Sequence, residues 1–266
     1  MLADELTTWA HTDLLAAYRI LCLVLYWPNH TAVTCVRDEQ SKLQAVAMRW
    51  DPAPRYPGPV RIHYASRTGE ALQEALSLVP PETGCVIVAP NTNAHQSLLG
   101  LDPIRRQPDE FLYAFAGRQA PEVPQSVERI SAADAPSVGL REPWDWPTIL
   151  GEPATESPIH CIIEEGRAVA VAAAGYPTAL TEEMRGVWVA DELRRQGYGR
   201  AVVASATADI MGRGRTPLYE TSADNAASQR LAESGGYERL GSWLRVEYGG
   251  PRGPGDVHQE EVPHAS

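Results

Sequence analysis

The segment GVWVADELRRQGYGR, residues 186–200, constrains the chain more than any other. An apolar run that reads as a strand through Val189 breaks into two arginines, a glutamine and glycines at 197 and 199, then enters an Ala-rich helical stretch, 198–214. Glycines there remove side chains where a ligand must approach the main chain. A helix beginning at that point presents unbonded N–H groups and its positive dipole end, which suits a phosphate or pyrophosphate. Arg194, Arg195 and Arg200 add charge of the same sign. The spacing is neither GxxxxGK[ST] nor GxGxxG, so neither a P-loop nor a dinucleotide fold fits. Plain turn chemistry without a ligand would look similar.

The flanking sequence supplies the setting. Residues 182–190 form the strand before the turn, PLYETS (217–222) is a strand after the helix, 224–236 a second helix ended by glycine, and 237–249 a strand pair or one long strand. Upstream, VERI (127–130) is a strand, and HCIIEEGRAVAVAAAG (160–175) makes two strands about Glu164-Glu165-Gly166. In the first half, TAVTCVR (31–37) and KLQAVAMRW (42–50) flank a hairpin turn at Asp38-Glu39-Gln40-Ser41. Then RIHYAS (61–66) is a strand, TGEALQEALSLV (68–79) has helical spacing, and GCVIVAP (84–90) and EFLYAFAG (110–117) are strands. GRQAPEVPQ (117–125), with two prolines and no apolar period, is the best linker. The expected division is therefore a first domain over 1–117, a linker at 118–125, a second domain over 126–248 and a polar, Gly/Pro-rich, disordered tail over 249–266. Both halves run hairpin, strand, helix, strand, helix, strand. That order fits a degenerate internal duplication, and equally the alternation common to α/β chains.

Composition narrows the partners. With 34 acidic and 23 basic residues the net charge is −11 and no Lys/Arg block stands out, which disfavours nucleic acid and anionic membranes and mildly favours a cationic substrate. Cys22, Cys35, Cys85 and Cys161 are far apart in apolar settings and read as buried thiols of a reducing, cytoplasmic compartment. The seven histidines are scattered, so no metal site is expected. LLAAYRILCLVLYW (14–27) is shorter than the roughly 20 residues that span a bilayer and contains Arg19. It follows Asp4, Glu5 and Asp13 instead of a basic region, so it reads as a buried helix and not as a membrane span or signal peptide.

With these elements in register, the second half resembles the GNAT superfamily of acyl-CoA-dependent N-acyltransferases. VWV (187–189) and RRQGYG (194–199) match the family's strand and its [Q/R]-x-x-G-x-[G/A] turn, and Asn225, Ser228, Leu231 and Gly236-Tyr237 match its second element. The likeness covers about 126–248. RTGEAL (67–72) stands where the turn would fall in the first half and lacks the glycine pair. The implied fold is α/β (α+β): tandem GNAT-like mixed sheets flanked by helices, with the N-terminal copy degenerate. The two-domain layout is also similar to glycine N-acyltransferase-like proteins.

The resemblance implies acetyl-CoA as acyl donor, with no metal. The main chain of Val187, Trp188 and Val189 would bond the pantetheine arm, Arg194, Arg195, Gln196, Gly197, Tyr198, Gly199 and Arg200 would hold the pyrophosphate, and Asn225 and Ser228 would meet the arm from the next helix. Asn225 also suits a helix N-cap, and Ser228 a packing position. Acyl transfer to an amine needs a base. Glu220 matches the glutamate of ribosomal-protein alanine acetyltransferases and Glu183 the base position of histone acetyltransferases, although either could be a solvated strand-end carboxylate. The family's usual acid, a Tyr after the helix leucine, is replaced by Ala232, leaving Tyr198, Tyr219, Tyr237 or water. REPWDWPTIL (141–150) offers Trp144 and Trp146 to an acceptor or, equally, to packing between domains. The expected activity is N-acetylation of a small-molecule amine by a monomer or homodimer. The alternatives are acyl-CoA binding without turnover and acetylation of a protein or peptide N-terminus.

Overall fold

The computed structural model describes residues 2–51, 58–92, 103–124, 126–141, 146 and 158–249. In chain order it contains α1 (Leu2–Ala10), α2 (Leu14–Tyr26), β1 (Thr31–Arg37), β2 (Leu43–Trp50), β3 (Arg61–Ser66), α3 (Gly69–Leu78), β4 (Val86–Pro90) and β5 (Pro103–Phe115). These are followed by β6 (Glu128–Ile130), β7 (Gly139–Leu140), β8 (Ile159–Glu164), β9 (Arg167–Gly175), β10 (Thr181–Val189), α4 (Tyr198–Gly212), β11 (Thr216–Ser222), α5 (Ala226–Ser234) and β12 (Tyr237–Tyr248). The expected strands and helices are present, and 237–248 is one long strand. The apolar period of the sequence does not mark α1 or the two-residue β7. The proposed tail beyond 249 lies outside the described residues.

Two compact units interleave along the chain: Met1–Thr31 with Pro108–Leu244, and Ala32–Gln107 with Arg245–Ser266. This differs from a linear division at 118–125, because the opening helices pack with the second half. The reason lies in α2. Its Ala16, Ala17, Tyr18, Ile20, Leu21 and Cys22 are buried, so the helix needs apolar cover over much of its circumference. Within the first unit it finds Trp243, whose indole N–H donates to the Leu15 carbonyl at 3.2 Å. Asp13 starts the helix by accepting from the Ala16 N–H at 3.0 Å.

The strands of the first unit run in the order β12-β5-β11-β10-β9-β8-β6, with β7 paired to β9. β10 and β11 are parallel, joined through α4, and β10–β9, β9–β8, β8–β6 and β11–β5 are antiparallel. α4 lies against β8, β9 and β10. Residues 168–174 of β9 read AVAVAAA and are all buried, and the small side chains there and along α4 let helix and sheet approach closely. Below the crossover, Glu182 of β10 is fully buried and accepts from Arg213 at 2.9 and 3.1 Å and from Arg215 at 3.2 Å. Breaking such a buried pair from one side costs about 3–5 kcal/mol.

In the second unit the order is β1-β2-β3-β4, followed by the end of β12, where Tyr248 exchanges backbone hydrogen bonds with Gly84 and Cys85. Asp38 makes the β1–β2 turn, its carboxylate accepting from the N–H groups of Gln40 at 3.0 Å and Lys42 at 2.8 Å, with Ser41 at φ 65°. β3 and β4 are parallel, as β10 and β11 are, and α3 packs on β2 and β3. Thr68 closes the start of α3, its hydroxyl accepting from the Ala71 N–H at 3.2 Å.

One buried histidine gives the first unit a pH dependence. His160 is 2% exposed, bonds Ser205 Oγ through Nδ1 at 2.9 Å, and sets Nε2 3.5 Å from Asp209. Burial holds its imidazole below the ordinary value against the opposing pull of Asp209. The folded chain therefore keeps the ring neutral at a pH where the unfolded chain, with its pKa near about 6.5, takes up a proton. The stability this contributes is complete above about pH 6.5 and is lost as the pH falls toward the folded-state value. Urea denaturation at a series of pH values should show stability falling between about pH 7 and 5.5, with His160→Gln flattening that slope.

Candidate active site

β10 and β11 are in register over four pairs only, Thr181↔Thr216 through Met184↔Tyr219. Beyond Met184 the strands part. The cause sits on the other edge of β10, where Arg185 faces Ala173 and Trp188 faces Val171, so β10 carries one residue more than β9 across that interval. Gly186 takes up the bulge at φ 54°, which bends the strand away from β11. A cleft of about 370 Å³ opens there, lined on β10 by Glu183–Val187, on β11 by Tyr219–Ser222, and by Glu110, Asn225 and Ser228. The β10 main chain past Met184 is left as a strand edge, able to bond an extended ligand.

The arginine–glycine turn lies at the far end of β10. Arg195 at φ 64° and Gly197 at φ 90° reverse the chain into α4. The two glycines serve different ends. Gly197 supplies the left-handed conformation and, as N-cap, brings no side chain to the helix start. A Cβ on Gly199 would stand 3.3 Å from Val189 Cγ2 and 3.4 Å from Leu231 Cδ2, so this glycine seats the first turn of α4 between β10 and α5. The side chains of the turn are largely engaged locally. Arg194 pairs with Asp191 at 2.6 Å and donates to the Val189 carbonyl at 3.3 Å, Gln196 donates to the Glu192 carbonyl at 3.1 Å, and the Tyr198 hydroxyl donates to Glu164 at 2.6 Å. Arg195 and Arg200 are exposed. An anion at this turn would therefore be met by first-turn N–H groups without a side-chain cap.

The carboxylates converge by strand alternation. Glu183 stands beside Leu218 across the parallel pair, and Ser222 and Glu220 face Glu110 and Leu112 of β5, so Glu110, Glu183 and Glu220 share one face of the sheet. α2 covers that face. Its Leu15, Tyr18, Arg19 and Cys22 are spaced i, i+3, i+4, i+7 and form one stripe. The Tyr18 hydroxyl donates to Glu183 at 2.7 Å. Arg19 pairs with Glu110 at 2.5 Å and donates to Glu220, with its guanidinium 4.2 Å from the Trp243 ring centroid. Burial pushes the Glu220 carboxyl up to about 8, opposed by Arg19 and reinforced by Glu110 and Glu183.

Of the tyrosines considered as acids, only Tyr219 lines the cleft, sharing a hydrogen bond of 2.9 Å with Ser228. Tyr237 is buried and bonded to Thr207 at 2.7 Å, and Ala232 is fully buried. Asn225 lines the cleft, and its side-chain oxygen caps α5 by accepting from the Ser228 N–H at 3.1 Å. The cleft thus brings together Glu183, Glu220, Val187, Asn225 and Ser228, whereas the side chain of Trp188 is buried in the core. Trp146 is also core, 8% exposed with its indole donating to the Val138 carbonyl at 2.8 Å, and Trp144 lies outside the described residues. Sequence reasoning missed Tyr18, Arg19 and Glu110. The one local signal was a lone arginine in an apolar helical run. Among the described residues, no group of three His, Cys, Asp or Glu is placed to hold a metal ion, and no helix is long and apolar enough to cross a membrane.

The comparisons with known proteins show a GNAT-like fold in a two-domain layout. Residues 163–246, from the end of β8 into β12, match the family model described as FR47-like protein. Among solved structures, the chain resembles a tandem GNAT protein from the clavulanic acid biosynthesis pathway, at 12% identity and a TM-score of 0.56, covering 94% of this chain and 96% of that one. It also resembles a protein of Drosophila, at 14% identity and a TM-score of 0.59 over 91% and 94% of the two chains. A GCN5-related N-acetyltransferase from Kribbella flavida is similar at 18% identity and a TM-score of 0.53 over 90% and 96%. No curated protein matches the chain in sequence.

The two glycines of the turn should separate experimentally. Gly197→Ala is expected to lose about 1–2 kcal/mol through its left-handed backbone, with Gly197→Asn recovering part of the loss. Gly199→Ala, which meets side chains instead of an unfavourable φ, should gain nothing from Asn. Chemical denaturation of the four variants measures both effects.

Proposed function

We propose that the protein is an acyl-CoA-dependent N-acyltransferase, with acetyl-CoA as donor and a small-molecule amine as acceptor. The observation that carries this reading is the cleft between β10 and β11, with a strand edge on one wall, an uncapped helix start beyond it and Glu220 on the other wall. The pantetheine arm would lie along the main chain of residues 187–189 as an added strand, with the pyrophosphate at the turn of residues 194–200. The acyl carbonyl would then reach the acidic side of the cleft, where Glu110, Glu183 and Glu220 favour an amine.

In the reaction, the amine nitrogen attacks the thioester carbonyl carbon, and the proton that the nitrogen sheds passes to Glu220. The tetrahedral adduct collapses with cleavage of the C–S bond. The departing sulfur takes a proton, for which the Tyr219 hydroxyl is the best-placed donor among the tyrosines of the cleft. A carboxyl whose pKa lies near working pH suits the first transfer. Most of the rate enhancement in this scheme comes from holding thioester and amine together away from bulk water.

Ala232 favours a second reading, acyl-CoA binding without turnover, since the family's usual acid is missing there. Thiol release from acetyl-CoA across a panel of amines, including peptides with free N-termini, distinguishes the two. Release with small amines is expected, and Glu220→Gln should lower kcat about 10²–10⁴-fold, the range for losing a general base. Tight binding of acetyl-CoA with no release for any amine would instead establish a sensor.

A further inference from the structure

We propose that Arg19 of α2 is a positioning residue for Glu220, its guanidinium forked between Glu110 and Glu220 and braced on the Trp243 ring so that the Glu220 carboxylate keeps one orientation at the cleft wall. The inference rests on the reading of Glu220 as the base, and it brings a residue from the first half of the chain into the chemistry of the second.

The geometry leaves Arg19 little freedom. One arm of the guanidinium meets Glu110 at 2.5 Å, the other meets Glu220, and the plane lies against Trp243 at 4.2 Å. Trp243 is fixed in turn by its bond to the Leu15 carbonyl, one turn earlier on the same helix. Only a planar fork can hold two carboxylates and stack on an indole at once, which an ammonium cannot do. Stability alone does not account for such a group. The Arg19 side chain is 15% exposed in a helix that is otherwise apolar on its covered face, and a buried ion pair is often no more stabilising than packed hydrocarbon. What the arrangement does provide is a fixed Glu220, whose other charged and titratable neighbours are Cys22 on α2, Glu110 on β5 and Glu183 on β10, the last bonded by Tyr18 and paired with Arg185.

The charges on either side of Glu220 give the test two opposite signs. Arg19 draws the carboxyl down and Glu110 pushes it up. With ¹³C-carboxyl-labelled glutamate, the Glu220 resonance can be assigned by its loss in Glu220→Gln and titrated by NMR without any acceptor. Arg19→Gln should raise the midpoint by about one unit or more, Glu110→Gln should lower it, and Arg19→Lys should fall between wild type and Arg19→Gln. With the amine that gives the fastest thiol release, the acid limb of kcat/KM should follow the same order. A one-unit rise lowers turnover at pH 7 about tenfold while leaving the KM for acetyl-CoA unchanged. An unchanged Glu220 midpoint in folded Arg19→Gln overturns the inference. If that variant does not fold, an unchanged midpoint in folded Arg19→Lys overturns it equally. Midpoints that move while the acid limb stays fixed would uphold the link between Arg19 and Glu220 and remove Glu220 from the role of base.

Discussion

The parting of β10 from β11 is the constraint on which the site depends. β10 must satisfy two neighbours: β9, against which it carries one extra residue, and β11, with which it is parallel for four pairs. It resolves the conflict by bulging at Gly186 and staying with β9, while β11 stays with β5. Both ends of the bent strand are held. Glu182, bonded by Arg213 and Arg215, fixes the lower end, and the close seating of Gly199 against Val189 and Leu231 fixes the upper one. A peptide edge exposed between two such clamps cannot relax back into a ladder. The cleft therefore follows from the register of the sheet and does not require a loop to shape it.

The two halves of the chain differ in how their strand–helix–strand units start the helix. Each has a parallel pair joined by a helix, β3–α3–β4 in one and β10–α4–β11 in the other. At α3 the Thr68 hydroxyl satisfies the Ala71 N–H, so the helix caps itself. At α4 the N-cap is Gly197, which has no side chain with which to do so. A cap of this kind is worth about 1 kcal/mol to a helix, and α4 forgoes it at a helix start where arginines cluster. The open terminus thus has a stability cost that a bound pyrophosphate would offset.

Much of this was legible in the sequence, and the rest was hidden for reasons of distance. Strands and helices of the second half announce themselves by period and punctuation, Gly197 and Gly199 by their place between strand and helix, and Asn225 by the family resemblance. The role of Asn225 needed no choice, since one side chain both caps α5 and lines the cleft. The two glycines needed coordinates, because φ and Cβ clearance are not written in their spacing. Trp146 illustrates the opposite error: an aromatic beside acidic residues looks like a binding surface, yet its indole is bonded inside the core. Tyr18 and Arg19 were out of reach because their partners, Glu183 and Glu220, stand 165 and 201 positions away in sequence. A lone arginine in LLAAYRILCLVLY could be read only as a defect in a hydrophobic run, and not as a contact awaiting its carboxylates.

On the proposed function, that arginine would let a buried glutamate serve as a base. Burial by itself favours the neutral acid, and a Glu220 enclosed beside Glu110 and Glu183 without a cation would remain protonated at neutral pH and could accept nothing. An arginine beside a solvated glutamate has the opposite effect, giving a carboxylate too acidic to compete for the proton of an amine. The site combines the two, with desolvation and like charge raising the carboxyl and Arg19 restraining the rise, so that the value stands close to 8. On the proposed function, a carboxyl raised in this way would be better matched to an amine proton than a solvated glutamate. The α2 helix that covers this face also carries the guanidinium that meets its carboxylates, so on the proposed function it would serve the chemistry of the second half as well as its packing.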